Sequence, residues 1–303
     1  GIREYGRTVG FIQSDIFSVL RQDVVYVGLV ALGLSLVFAT HHFDLISVFF
    51  VLAVSSLLCA LASRKHLQAH TAIAGAGSNT DDFQVIAEHQ ETIRGHGRWA
   101  VMGVIVGWLS NYSYVYLSGA WLGLAAIADL NAARLLLMPI PMAVAAWSRV
   151  ARPEASRMIA GQDWKGLRKL TLLSIGAIEI VVLAYVVLLL LVLPWLESHV
   201  IGSKYSGLDP LVMLWGVYFA VNAARWVGTS WLSSGGAFRS MFFLGSVTLV
   251  LVLGITSFSI PHWGTSGAIL ALIAVELFEL TVVWKFILPG LQKKPSAAFA
   301  DAA

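Results

Sequence analysis

Six ionisable residues lie inside apolar stretches of this 303-residue chain: Asp129, Arg134, Glu179, Arg225, Glu276 and Glu279. A charge at membrane depth costs a few kcal/mol on insertion scales, so each must face a water-filled cavity or a partner of opposite sign. Arg134 and Arg225 lie about 20 Å and about 22 Å along their helices from the charge-poor ends of those stretches. Guanidinium forks at that depth could grip a pyrophosphate. The structural alternative is an internal salt bridge, Arg134 with Asp129, or Arg225 with Glu179 or Glu276; near a helix end Arg225 can also snorkel to water. Asp129 and Glu179 are the deepest acids and Glu276 and Glu279 share one helix face. Asp129, Glu179 and Glu276 are therefore candidates for coupling to a proton or sodium ion. Asn131 and Tyr112 complete the candidate substrate-binding set with the two arginines. Tyr112 stands four residues from Trp108 and from Tyr116, with Tyr114 and Trp121 nearby. Such a face can stack sugars, although an aromatic belt at the membrane interface explains it without a ligand.

The elements that must hold these groups are membrane helices. The chain is 58% hydrophobic and 12% charged, with mean hydropathy +0.78, which predicts an all-α polytopic membrane protein of about eight transmembrane helices. The spans fall at 24–40, 43–63, 99–118, 121–148, 171–195, 210–232, 241–260 and 263–287. Seventeen of the twenty Lys and Arg residues sit in segments 1–23, 64–98, 149–170 and 233–240 and at the end of the chain, where Lys285, Lys293 and Lys294 lie. The opposite set of loops, 41–42, 119–120, 196–209 and 261–262, contributes only Lys204. Short cytoplasmic loops collect Lys and Arg, so both ends of the chain are expected in the cytoplasm. Pro139 and Pro141 remove two backbone donors within the fourth span and predict a kink there. Gly235-Gly236 and the pair Gly264 and Gly267 read as turn and close-packing glycines.

Residues 1–23 read as an amphipathic helix on the inner face, with Phe11, Ile12, Ile16, Val19 and Leu20 on one side and Arg21 at its end. The chain opens on Gly1 in this helix, as a C-terminal fragment would. In segment 64–98, HTAIAGAGSN reads as a connector, followed by a helix with Asn79 or Thr80 as N-cap, Phe83, Ile86 and Ile93 as its apolar stripe, and Gly95 at its end.

Composition also excludes several classes. Net charge +3 and pI near 9.0 come from the inner loops, not from a basic soluble domain, so no nucleic-acid partner is expected. Cys59 is the one cysteine, and the eight histidines, among them the adjacent His41 and His42, show no metal-ligand spacing, so neither a metal nor a cofactor is expected. A membrane enzyme of glycan assembly needs catalytic groups at a span end or on a sizeable outer loop. The largest outer loop, 196–209, offers Glu197, His199, Lys204 and Asp209, so a non-enzyme is the expectation.

The order of span-end motifs resembles a family. GRWAVMGVIVGWLSNY is followed by RLLLMPIPMAVAAWSRVARPEASRMIAGQDWKGLRKL, then IGSKYSG, LSSGGAFRS and WGTSGAILALIAVELFE. This series is similar to the C-terminal six-helix lobe of polysaccharide (O-antigen type) flippases of the multidrug, oligosaccharidyl-lipid and polysaccharide exporter superfamily. The resemblance implies a two-lobe exporter. Residues 1–63 would supply the inner-face helix and the last two helices of the N-lobe, 64–98 the cytoplasmic linker, 99–290 the six-helix C-terminal lobe and 291–303 a cytoplasmic tail. It implies a flippase in the bacterial inner membrane whose partners are a lipid-linked oligosaccharide, membrane lipid and a coupling proton or sodium ion. A cation-coupled drug antiporter of the same superfamily is the alternative, and there the lumen should be acidic and aromatic, with few cations.

Overall fold

The computed structural model describes residues 16–40, 44, 46–59, 61, 82–201 and 207–293. The chain divides into two compact units, Gly1–Gln90 and Glu91–Ala303.

In the first unit, helix α1 (Ile16–Ala39) carries an apolar run long enough to cross a membrane from Val19 to Ala39, and α2 (Ile46–Cys59) is a shorter apolar helix. Gly33 leaves room where a Cβ would strike Val51, so the two helices approach closely. Val19 is buried and Leu20 exposed. Phe11 and Ile12 of the expected amphipathic helix lie outside the described residues, as do His41, His42, the connector 64–81 with Asn79 and Thr80, Lys204 and the tail from Lys294 onward.

Helix α3 (Asp82–Leu122) is continuous over 41 residues. This corrects the expectation that Gly95 ends a separate linker helix. Gly95 and Gly97 remain helical, because a helix entering lipid must keep its backbone bonds internal. Gly123, at φ 85, breaks the chain before α4 (Leu124–Leu136). The predicted proline kink follows: α5 (Pro139–Ala160) departs from α4 at 48°. Pro139 and Pro141 cannot donate, so Leu137 and Met138 bond back three residues to Arg134 and Leu135, and Ile140 bonds to Leu137. The freed Leu136 carbonyl accepts the Tyr185 hydroxyl at 2.7 Å.

Segment 149–170, expected as an inner loop, is mostly helix. Arg149, Arg152 and Arg157 ride on α5, while Lys165, Arg168 and Lys169 ride on α6 (Trp164–Leu196). Only the turn at 161–163 separates the two helices, and the Asp163 carboxylate caps α6 by accepting from Gly166 N at 2.9 Å. Beyond α6, a π-helical turn, Glu197–Ile201, ends in the loop whose other side is tied back: Glu197 Oε1 accepts from both Gly207 N and Leu208 N at 3.1 Å.

Helix α7 (Asp209–Ser234) is the most enclosed. It packs against α4, α5, α6 and α8 (Phe238–Val282). Trp215 and Trp231 on α7 are fully buried, and Trp231 Nε1 donates to Thr171 Oγ1 at 2.8 Å. At Gly228 a Cβ would strike Val283, so this glycine permits the close approach of α7 to the π-helical turn Val283–Ile287, which leads into α9 (Leu288–Lys293).

Helix α8 folds back on itself at Gly264, whose φ of 58 and ψ of −139 are non-helical. Ser259 Oγ donates to the Gly267 carbonyl at 2.9 Å, and Thr248 Oγ1 to Glu279 Oε1 at 2.6 Å. These contacts step outward on either side of Gly264, so the two arms are antiparallel. The seventh and eighth expected spans are these arms. Their turn lies at Gly264 instead of at 261–262, because Pro261 and His262 stay helical and only a glycine enters the left-handed region at low cost.

Candidate functional site

The second unit contains a cavity of about 250 Å³ between α3, Arg152 of α5, α7 and both arms of α8. Its α3 wall is Gly103, Gly107, Ser110 and Asn111, and the two glycines have open space where a Cβ would stand. Arg152 lines the cavity from α5, and the wall opposite α3 carries three more charges. Arg225 Nε donates to Glu276 Oε2 at 2.5 Å and Nη2 to Glu276 Oε1 at 3.2 Å, a bidentate pair, while Nε also stands 3.0 Å from Glu279 Oε2. Neutral groups complete the shell. Asn222 Nδ2 and the Tyr218 hydroxyl donate to Glu276 Oε1 at 3.0 and 3.3 Å, and Thr248 donates to Glu279. The three charged side chains are only 10–13% exposed. Burying a charge is tolerable here because both Glu276 oxygens and Glu279 Oε1 have donors and Glu279 Oε2 is ion-paired with Arg225.

Arg225 is both ion-paired and part of the cavity lining. Of the acids the sequence offered it, Glu276 is its partner and Glu179 is not, and Glu279 adds a second. Glu179 is half-buried on α6 with no hydrogen bond or ion pair among the described residues.

Arg134, on α4, is held differently. Its Nη1 donates to the Tyr114 hydroxyl at 2.9 Å, and its guanidinium lies 5.6 Å from the Tyr112 ring centre, 5.7 Å from that of Tyr114 and 5.4 Å from that of Trp215. Asp129, the acid the sequence offered as its partner, makes no ion pair among the described residues, and neither does Arg134. Two buried donors in this cluster, Arg134 Nε and Trp215 Nε1, have no acceptor. Asn131 is exposed one turn away on the same helix. Tyr112 is thus brought to Arg134, whereas Trp108 and Tyr116 are exposed and only Trp108 touches Tyr112, at 5.1 Å between rings. A mixed outcome follows for the aromatic face: its outward rings suit an interfacial belt and Tyr112 lies over a cation.

Sequence reasoning missed Trp215, Asn222, Thr248 and Asn111 as members of these clusters, and it treated Tyr114 only as a neighbour. Asn111 and Asn222 had a signal, since an amide inside an apolar span is costly and finds a partner. Trp215 and Thr248 are ordinary in a membrane helix and had none.

The fold and these clusters define a polytopic α-helical membrane protein with charged groups enclosed among its helices. No protein-family model matches the chain, and no curated protein matches it. Among solved structures it is similar to the outward-facing conformation of a multidrug resistance MATE family transporter of the MOP superfamily. The TM-score is 0.78 at 12% sequence identity, over 96% of this chain and 67% of that one. That likeness is one of fold, and the MOP superfamily is the exporter group that the span-end motifs resemble.

Proposed function

We propose that this chain belongs to a transporter that flips a polyprenyl-pyrophosphate-linked oligosaccharide across the bacterial inner membrane by alternating access, for polysaccharide biosynthesis. The observation that carries this reading is Arg134, a caged guanidinium bonded only to a neutral phenol, with no carboxylate to compensate it among the described residues. A cation at that depth is stabilised by an anion brought to it, and a pyrophosphate offers a guanidinium the bidentate geometry it prefers. Tyr112, 40% exposed, adds an aromatic face beside that anion.

Arg225 then serves the coupling site. Glu276 and Glu279 share Arg225 as their ion-pair partner, and protonation of either carboxylate or binding of a sodium ion beside them is the coupling event. Asp129 and Glu179 remain further candidates for that role. The neighbouring carboxylates also suit a second reading, a cation-coupled drug antiporter, to which the multidrug resistance transporter of similar fold lends support.

Deletion of the gene separates the two. Lipid-linked oligosaccharide is expected to accumulate at the inner leaflet with sensitivity to cationic dyes unchanged, whereas normal surface polysaccharide with new dye sensitivity selects the antiporter. In complementation, Arg134→Ala should abolish export at unchanged membrane abundance, and Arg134→Lys should restore only part of it because the planar fork is lost. Loss of Arg134→Ala protein from the membrane would return Arg134 to a structural role.

A further inference from the structure

A second cationic cluster lies where α3 and α8 begin their membrane runs. Arg98, on α3, stands 5.2 Å from the Trp99 ring centre, and Arg239, on α8, stands 5.6 Å from the same ring. Trp99 packs against Phe242 and Phe243 at 5.3 and 5.8 Å, and Arg239 also lies over Phe243 at 5.8 Å. Both arginines are exposed, and neither makes an ion pair among the described residues. Two guanidiniums gathered at one indole concentrate positive charge there, which favours an anion beside them.

The surface continuing from each arginine is apolar. Along α3, Met102, Ile105 and Leu109 follow Arg98 at helical spacing and are exposed; along α8, Phe243, Val247 and Val250 follow Arg239 and are exposed. The two helices run parallel, since Trp99 meets Phe242 and, further along, a Cβ at Gly245 would stand 3.5 Å from Val106. One end is therefore cationic with an aromatic floor, and two apolar ridges lead away from it. That is the chemistry of an anionic headgroup with its acyl chains.

We propose that Arg98, Trp99 and Arg239 form a binding site for an acidic phospholipid, with the phosphate between the guanidiniums and the acyl chains along Met102, Ile105 and Leu109 and along Phe243, Val247 and Val250. The charge bias of the loops assigns this end to the cytoplasmic leaflet, where acidic lipids and juxtamembrane arginines attract each other. The site is separate from Arg134 and from the Arg225 network, and its occupancy does not depend on what the protein transports.

The test is lipid retention by the purified full-length protein. Phosphatidylglycerol should be kept through detergent exchange in preference to phosphatidylcholine, as read by native mass spectrometry, with retention falling as salt rises. Arg98→Gln with Arg239→Gln should weaken retention about tenfold or more, at unchanged melting temperature in phosphatidylcholine nanodiscs. Each single change should fall between, the Lys pair should keep most of the binding, and Arg134→Gln should keep all of it. Equal retention of the two lipids, or no loss in the double Gln variant, overturns the proposal. Displacement of phosphatidylglycerol by millimolar inorganic phosphate also overturns it, because the occupant is then a free anion.

Discussion

Arg225 and Arg134 show how far a buried cation's role depends on what stands next to it. The first has two carboxylates within 3.0 Å, and the second has a phenol and three aromatic faces. Removing both acids from the first leaves a charge 13% exposed without a counter-ion, and breaking a buried pair in this way costs about 3–5 kcal/mol. Glu276→Ala with Glu279→Ala should therefore reduce folded protein sharply in a detergent melt. Adding Arg225→Leu should recover much of the loss, since the charge that made it costly is gone. Arg152, which also lines the cavity, read as part of a loop, whereas Arg134, Arg225, Glu276 and Glu279 were legible in the sequence, because a charge inside an apolar run stands out. Their pairings were not. A membrane helix is apolar on most faces, so periodicity does not tell which face meets another helix, and Glu276 finds Arg225 through a contact 51 residues away.

At the scale of elements, the kink between α4 and α5 was readable from Pro139 and Pro141, while its fastening was not. Tyr185, on α6, supplies the hydrogen bond that Leu136 loses at the bend. Tyr185→Phe should cost about 1 kcal/mol in an unfolding titration, the net worth of a hydrogen bond to a half-buried carbonyl. The hairpin of α8 makes a steric prediction. A methyl group at Gly267 would run into the Ser259 carbonyl, so Gly267→Ala should destabilise by about 1–3 kcal/mol, and Gly254→Ala, where space is open, should not. Helix ends were the least legible features. Charged residues in 82–98 and 149–170 marked water to a sequence reading, yet a helix projecting past the bilayer keeps its hydrogen bonds and simply turns polar, as α3 and α5 do.

For the whole molecule, the positions of Lys and Arg make the strongest claim. Reporters fused after Arg98, Arg168, Arg239 and Lys294 should be cytoplasmic, and one within 196–209 should report the opposite side. A signal from the opposite side after Arg98 would invert the scheme and remove the leaflet assignment of the lipid site. The turn at Gly264 bears on how such a chain is made. Its two arms leave the ribosome after α7, so Arg225 enters the membrane before Glu276 and Glu279 have been synthesised. A lone arginine near a helix centre costs about 2.5–3.5 kcal/mol to release into lipid, and a lone glutamate is also unfavourable. The second arm returns beside α7 because the hairpin is tight, which brings acid and base together as soon as both exist. Insertion of α7 is therefore completed by residues translated some fifty positions later, and a ribosome stalled between Ser234 and Glu276 should leave α7 poorly held in the bilayer.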